Sequence, residues 1–153
     1  MTDIKSHEAR SRNMAAIRSK DTAPEIYLRK GLFKRGYRYR IAPSYVIGHP
    51  DLYLAKYRVA VFVHGCFWHR HVGCRYSYVP KSRVEFWQKK FESNISRDKT
   101  VMEQLKKEKV RCLIVWECSI KQARKGIALS ESLFEEVIKF LESGQNYMEI
   151  SPN

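Results

Sequence analysis

Hydrophobic positions along this chain come in short groups with clear punctuation. Between Thr22 and Gly36, Leu28 and Leu32 recur at helical spacing. Thr22 and Glu25 have the separation of a capping box, Pro24 falls in the first turn, and Gly36 supplies a stop. Residues 37–41 alternate like a strand, and Leu52–Leu54 and residues 58–63 read as two more strands joined by a turn at Ala55, Lys56 and Tyr57. A second capping box, Ser82 with Glu85, opens a long helical region with Phe91, Ile95, Met102 and Leu105 on its apolar side and an expected break near Ser96. Residues 110–116 are almost continuously apolar, the mark of a strand covered on both faces. Ser130 is expected to cap a last helix that carries Leu133, Val137 and Leu141 and ends at Gly144. Helix, three strands, helix, strand, helix predicts an α/β domain with a mixed sheet flanked by helices.

A chain of 153 residues with 44% hydrophobic positions can build one real core but not two. The expected organisation is a basic arm over 1–20 with Lys5, His7, Arg10, Arg12, Arg18 and Lys20, a single domain over 21–144, and a C-terminal tail over 145–153. No apolar run approaches the roughly 20 residues of a membrane span, and the start has no apolar leader. A cytoplasmic protein with reduced cysteines is therefore expected. Lys and Arg number 29 against 16 Asp and Glu, a formal charge of +13, which attracts phosphate polyanions over a screening length of about 8 Å. Nucleic acid is the first partner this suggests and an anionic membrane the second; a merely soluble basic protein would look the same by charge alone.

Candidate chemistry concentrates in residues 61–75, which hold two of the four cysteines and three of the five histidines. Cys66, His71 and Cys74 have a spacing suited to Zn²⁺, with Cys118 at the end of the apolar strand as a distant fourth ligand and a structural, closed site the expectation. Cys112 competes with Cys118 but lies in phase with Ile114 and Trp116, where it reads as core. The plain alternative is that all four cysteines are small buried hydrophobes.

Asp51 follows Pro50 at the start of a strand and can face Val63 across its neighbour. A carboxylate beside a main-chain carbonyl suits Mg²⁺ and a phosphate, although a lone Pro-Asp is more often a turn. His64 and His69 remain once His71 is given to zinc; a neutral imidazole can act as general base, and Asp98 is the candidate to orient it. Phe67 and Trp68, between the zinc ligands, and Trp87, early in the long helix, are aromatics that could wedge between base steps; the alternative is that they close the core.

Taken together, Asn13 and Met14, the run 18–22 with Glu25, Pro50 with Asp51, the block 64–69 (HGCFWH), Glu85 with Phe86 and Trp87, Arg97 with Asp98, and the run 115–118 (VWEC) closely resemble the very-short-patch repair (Vsr) DNA mismatch endonucleases. The resemblance runs in order from about residue 10 to 120. It implies a restriction-endonuclease-like fold with a structural zinc and Mg²⁺-dependent nicking of duplex DNA beside a T:G mismatch. It further implies that Asp51 and the Val63 carbonyl bind magnesium, that His69 is the general base oriented by Asp98, and that His64 and Glu25 support the phosphate and the hydrated metal. Phe67, Trp68 and Trp87 would insert at the mismatch, Met14 would approach the other groove, and Cys66, His71, Cys74 and Cys118 would hold zinc. A monomer in the bacterial cytoplasm, nucleoid-associated and with mismatch-repair proteins as possible partners, is the corresponding expectation. The superfamily's Asp/Glu-x-Lys is absent from 61–65, as histidine chemistry in its place would require. The competing class is a non-catalytic, zinc-stabilised DNA-binding module.

Overall fold

The alternation of apolar residues along the two longest strands decides the architecture. In the computed structural model, which describes residues 21–152, β3 (Val59–His64) and β4 (Arg111–Trp116) are parallel neighbours paired from Val59 with Arg111 to His64 with Trp116. Val59, Val61, Leu113 and Val115 point to one face; Ala60, Phe62, Cys112, Ile114 and Trp116 point to the other. Both faces are covered, which is why the two strands read as apolar throughout.

Around them the sheet runs β1 (Arg40–Ile41), β2 (Leu52–Leu54), β3, β4, β5 (Tyr147–Ile150), with β1, β2 and β3 antiparallel and β3, β4 and β5 parallel. On one face lie α1 (Ala23–Lys34), the short α3 (Glu117–Ala123) and α4 (Ile127–Leu141), through Leu28 and Leu32, Ile120, and Leu133, Phe134 and Val137. On the other lies α2 (Val84–Lys107), through Val101, Met102 and Leu105. The mixed α/β class is as the pattern predicts. Among the described residues, no helix is long and apolar enough to cross a membrane.

Several boundaries differ for identifiable reasons. The strand expected over 37–41 is paired only at Arg40 and Ile41, both exposed at the sheet edge. α2 runs through Ser96 without a break, and Ile95 is exposed while Asn94 takes the buried position. Ser82 does not cap α2; Arg83, in the left-handed region at φ 56°, precedes it. Thr22 stands at the start of α1 without a side-chain cap bond, and Glu25 instead accepts from the Asp21 N–H at 3.0 Å. Ser130 lies one turn inside α4, where its hydroxyl meets that of Tyr27.

Residues 145–153, read above as a tail, supply β5. It pairs with β4, and Arg111 holds the turn that leads into it, its guanidinium donating to the carbonyls of Phe140, Leu141 and Ser143 at the end of α4, of Gln145 before β5, and of Tyr57. A cation at a helix C-terminus satisfies carbonyls that have no partner within the helix.

Candidate active site and metal centre

Antiparallel pairing of β2 with β3 brings the start of β2 beside the end of β3, and parallel pairing puts the end of β4 there too. Asp51, Val63, His64 and Trp116 therefore converge at one edge of the sheet, outside the carboxyl ends of the parallel strands, where open α/β sheets generally place their sites. Gly48, at φ +86°, turns the preceding loop, and its α-carbon lies so close to Val101 of α2 that a side chain would collide.

Asp51 is held from behind: its Oδ2 accepts the Val63 N–H at 2.6 Å. Burial pushes its carboxyl up to about 7; the Val63 hydrogen bond opposes this, the Glu25 carboxylate beside it adds to it, and His69 opposes it. Asp51, Glu25 and His69 are thus near enough to feel one another's charge. Glu25 reaches this corner from the first turn of α1.

His69 follows a tight turn in which its N–H donates to Gly65 O at 3.1 Å. Its Nδ1 lies 2.6 Å from Asp98 Oδ2 on α2, which leaves Nε2 as the nitrogen available for other work. His64, buried, stacks on His69 with centroids 3.8 Å apart and planes 5° from parallel. Burial, followed by the charge of His69, brings His64 down to about 3, with Asp98 opposing, so His64 stays neutral at working pH. The ligand atoms of His64, His69 and Asp98 lie within 4.8 Å of one another, so this trio could in principle hold an ion as well. One turn before Asp98, Asn94 Nδ2 donates to the Trp68 carbonyl at 3.1 Å. No pattern in the apolar residues pointed to Asn94.

The second cluster lies across Trp116. Cys66, His71, Cys74 and Cys118 place one ligand atom each within 4.8 Å of the others, a group that could hold a metal ion. The loop is wound by His71 N–H to Cys66 O at 3.0 Å and Cys74 N–H to His71 O at 3.3 Å. Cys118 comes from the first turn of α3, which starts directly after β4 where a loop was expected, and its Sγ is 3.4 Å from His71 Nδ1. Burial raises the Cys66 and Cys118 thiols above the ordinary value. Cys112 stands apart in β4 with its thiol against Met102, as its phase predicted. Of the histidines, His71 joins the cysteines and His69 joins Asp98.

Phe67, Trp68 and Trp87 form one half-buried aromatic group: Phe67 lies 5.1 Å from Trp68, 5.4 Å from Trp87 and 5.2 Å from the buried Phe91. Arg70, which the sequence did not mark, holds this group together. Its guanidinium lies 3.9 Å over the Phe91 ring and donates to the carbonyls of Phe67, Ser77 and Tyr78. Phe67 is central to the cluster, and Trp68 and Trp87 flank it. Lys81, Arg83, Lys89 and Arg97, before and along α2, are exposed. Met14 lies outside the described residues.

Comparison with known proteins gives the family. Residues 2–75 match the family described as DNA mismatch endonuclease Vsr. The chain is 39% identical over 137 residues to the DNA mismatch endonuclease Vsr of Escherichia coli K12, covering 88% of this chain and 87% of that one. It is 43% identical over 121 residues to the type II nicking enzyme V.NmeAIP of Neisseria meningitidis serogroup A, with 79% and 86% covered. To the type II nicking enzyme V.XorIIP of Xanthomonas oryzae it is 42% identical over 120 residues, with 78% and 88% covered. With such identity sustained over most of each chain, this chain belongs to the Vsr family of DNA mismatch endonucleases.

Proposed function

We propose that this protein nicks one strand of duplex DNA beside a T:G mismatch, in a Mg²⁺-dependent reaction of very-short-patch repair, on a restriction-endonuclease-like scaffold stabilised by zinc. The observation that carries the reading is the mutual placement of Asp51 and the His69–Asp98 pair. A buried acid beside a second acid, and next to an oriented imidazole, is a costly arrangement that a pure DNA-binding surface does not need.

The residues fit magnesium by their chemistry. Asp51 is a hard oxygen donor, held in place by the Val63 N–H, and burial, with Glu25 adding to it, lifts its carboxyl to about 7, a cost that a dication offsets. Asp51, with the carbonyl of Val63, would hold the ion. When bound, it would neutralise charge that develops on the scissile phosphate. His69 Nε2 accepts the proton of the attacking water while Asp98, on Nδ1, fixes the ring and supports its positive charge. His64, neutral throughout, packs against that ring and with Glu25 supports the phosphate and the hydrated ion.

The Cys66, His71, Cys74 and Cys118 group fits zinc: three sulfurs and one imidazole, half of them buried, with thiols whose protons a cation would displace. Phe67, Trp68 and Trp87 would enter the duplex at the mismatch, from a platform that Arg70 and Asn94 keep rigid.

A nicking assay on matched and T:G-mismatched duplexes with Mg²⁺ tests the proposal. Cleavage of one strand of the mismatched duplex, absent without Mg²⁺, is expected. The reading fails if no mismatched duplex is cut across varied flanking sequence, or if Asp51→Ala retains full activity.

A further inference from the structure

Trp116 closes β4 and lies between the two clusters. On one side its ring stacks with His71, centroids 4.1 Å apart and planes 5° from parallel. On the other, its register partner His64 meets it at 5.3 Å with the planes at 74°, and His64 stacks in turn on His69. A continuous series of rings thus runs from the cysteine cluster to the nitrogen pair of His69.

The indole is also pinned in its own plane. Trp116 Nε1–H donates to Glu149 Oε1 at 2.8 Å, and Glu149 Oε2 accepts the Tyr147 hydroxyl at 2.8 Å. Both carboxylate oxygens are engaged, so the acceptor cannot rotate away. A charged acceptor makes a stronger bond to the indole than a neutral one. Glu149 and Tyr147 both belong to β5, whose side chains are mostly exposed. A buried tryptophan needs one acceptor, and the fold supplies it from the chain's last strand.

The stiffness matters because one hydrogen bond does not fix an imidazole. Asp98 holds His69 at Nδ1 but leaves the ring free to tilt about that bond. The face of His64 blocks the tilt; His64 is backed by Trp116, and Trp116 by His71 and Glu149.

We propose that Trp116 and Glu149 are positioning residues, a backstop that carries the rigidity of the metal cluster through His64 to His69 and makes β5 part of what orients the base. This rests on His69 being the base. A tryptophan that only fills the core would need an acceptor for its N–H, but loss of that acceptor would then leave the His69 ring undisturbed.

The test compares Glu149→Leu, Glu149→Gln and Tyr147→Phe in the metal-loaded, full-length protein. Glu149 and Tyr147 are exposed, so the fold is expected to survive these changes. Four quantities are read for each: metal per chain, the single-turnover nicking rate, the affinity for a T:G duplex, and the His64 and His69 ring resonances in protein labelled at histidine. Glu149→Leu is expected to keep its metal and its affinity within about twofold, to lose at least about tenfold in rate, and to displace the His69 ring signals. Glu149→Gln, whose amide oxygen still accepts the indole N–H, is expected to recover most of the rate and the wild-type ring signals. Tyr147→Phe should move both readouts in the same direction as Glu149→Leu, by less.

Unchanged rate and unchanged ring signals in Glu149→Leu would overturn the proposal. So would equal rate losses in the Leu and Gln variants. If Glu149→Leu does not fold, Tyr147→Phe decides on the same two readouts. If the wild-type protein cuts no duplex, the reading of His69 as base has failed; displacement of the ring signals then still shows the positioning, and its absence removes it.

Discussion

The cysteine cluster and the acid–histidine corner lie on either side of Trp116, and burial affects both, with different consequences. Burial lifts the Cys66 thiol well above its ordinary value and raises the Cys118 thiol as well, so at neutral pH these two are small, neutral side chains that the surrounding core tolerates. Asp51 is also lifted, but only to about 7, because Val63 and His69 pull against burial and Glu25. The buried Cys66 and Cys118 thiols keep their protons at neutral pH, whereas the Asp51 carboxyl sits at the point of ionising. On the proposed reading the first site holds structure and the second changes charge. The same sheet edge serves both because soft ligands come from the loop and α3, while hard ligands come from the strand ends and α1.

Breaking the acidic side should have the largest effect on activity. Asp51→Asn is expected to lower the nicking rate by on the order of a hundredfold to a thousandfold while leaving the fold intact. It should even stabilise the protein when no divalent cation is present. The folded state raises the Asp51 carboxyl from 3.8 to about 7, so stability from its protonated form is full below about 3.8 and has been lost once the pH passes about 7. An asparagine stays neutral. Thermal melts of wild type and variant should therefore converge toward pH 4 and separate by pH 8, with the variant higher. A variant that melts lower at pH 8 would contradict the strained carboxylate.

Cys118→Ala should do the reverse. Loss of bound metal and a fall in Tm of about 10 °C or more are expected, by metal analysis and calorimetry. Cys112→Ala, near the start of β4 and apart from the cluster, should keep its metal and lose little stability. Equal metal loss in the two would mean the cluster has been drawn around the wrong cysteine.

Asp98→Asn is a finer cut within the acidic side: a rate lower by about ten- to a hundredfold, with duplex affinity and metal content unchanged. The smallest effects should separate the aromatics. Trp68→Ala should weaken binding to a T:G duplex by roughly 1–3 kcal/mol with little change in Tm, whereas Phe67→Ala should lower Tm more because Phe67 packs against Trp68, Trp87 and Phe91 at once. Equal losses of Tm would return Trp68 to the core.

The sequence was most legible where one physical demand acted alone. The apolar alternation of β3 and β4 and the leucines of α1 are packing signals, and the structure follows them. The clustering of Cys66, His71 and Cys74 with Cys118 was legible because cysteine and histidine at short spacing are rarely placed together for packing. α2 was misread where two demands compete. Its inward stripe runs Phe91, Asn94, Asp98, Val101, Leu105, and the two polar members belong to the site: one grips the loop and the other His69. A reading of apolar spacing drops them, shifts the face onto Ile95 and suspects a break at Ser96. β5 gave almost no signal, since only Ile150 is buried, and the turn that leads into it is held by Arg111, a contact distant in sequence.

The polar pair on α2 has a wider meaning. Asn94 holds the carbonyl of Trp68 and Asp98 holds the ring of His69, so two consecutive loop residues, the proposed wedge and the proposed base, hang from one face of one helix a single turn apart. On the proposed reading, reader and cutter share a bearing. Strain put into Trp68 by a duplex that yields at a mismatch, or by one that refuses to, arrives within a turn of the group that sets the imidazole. Fidelity in such an arrangement needs no separate checkpoint, because sensing and cutting are moved by the same rigid part.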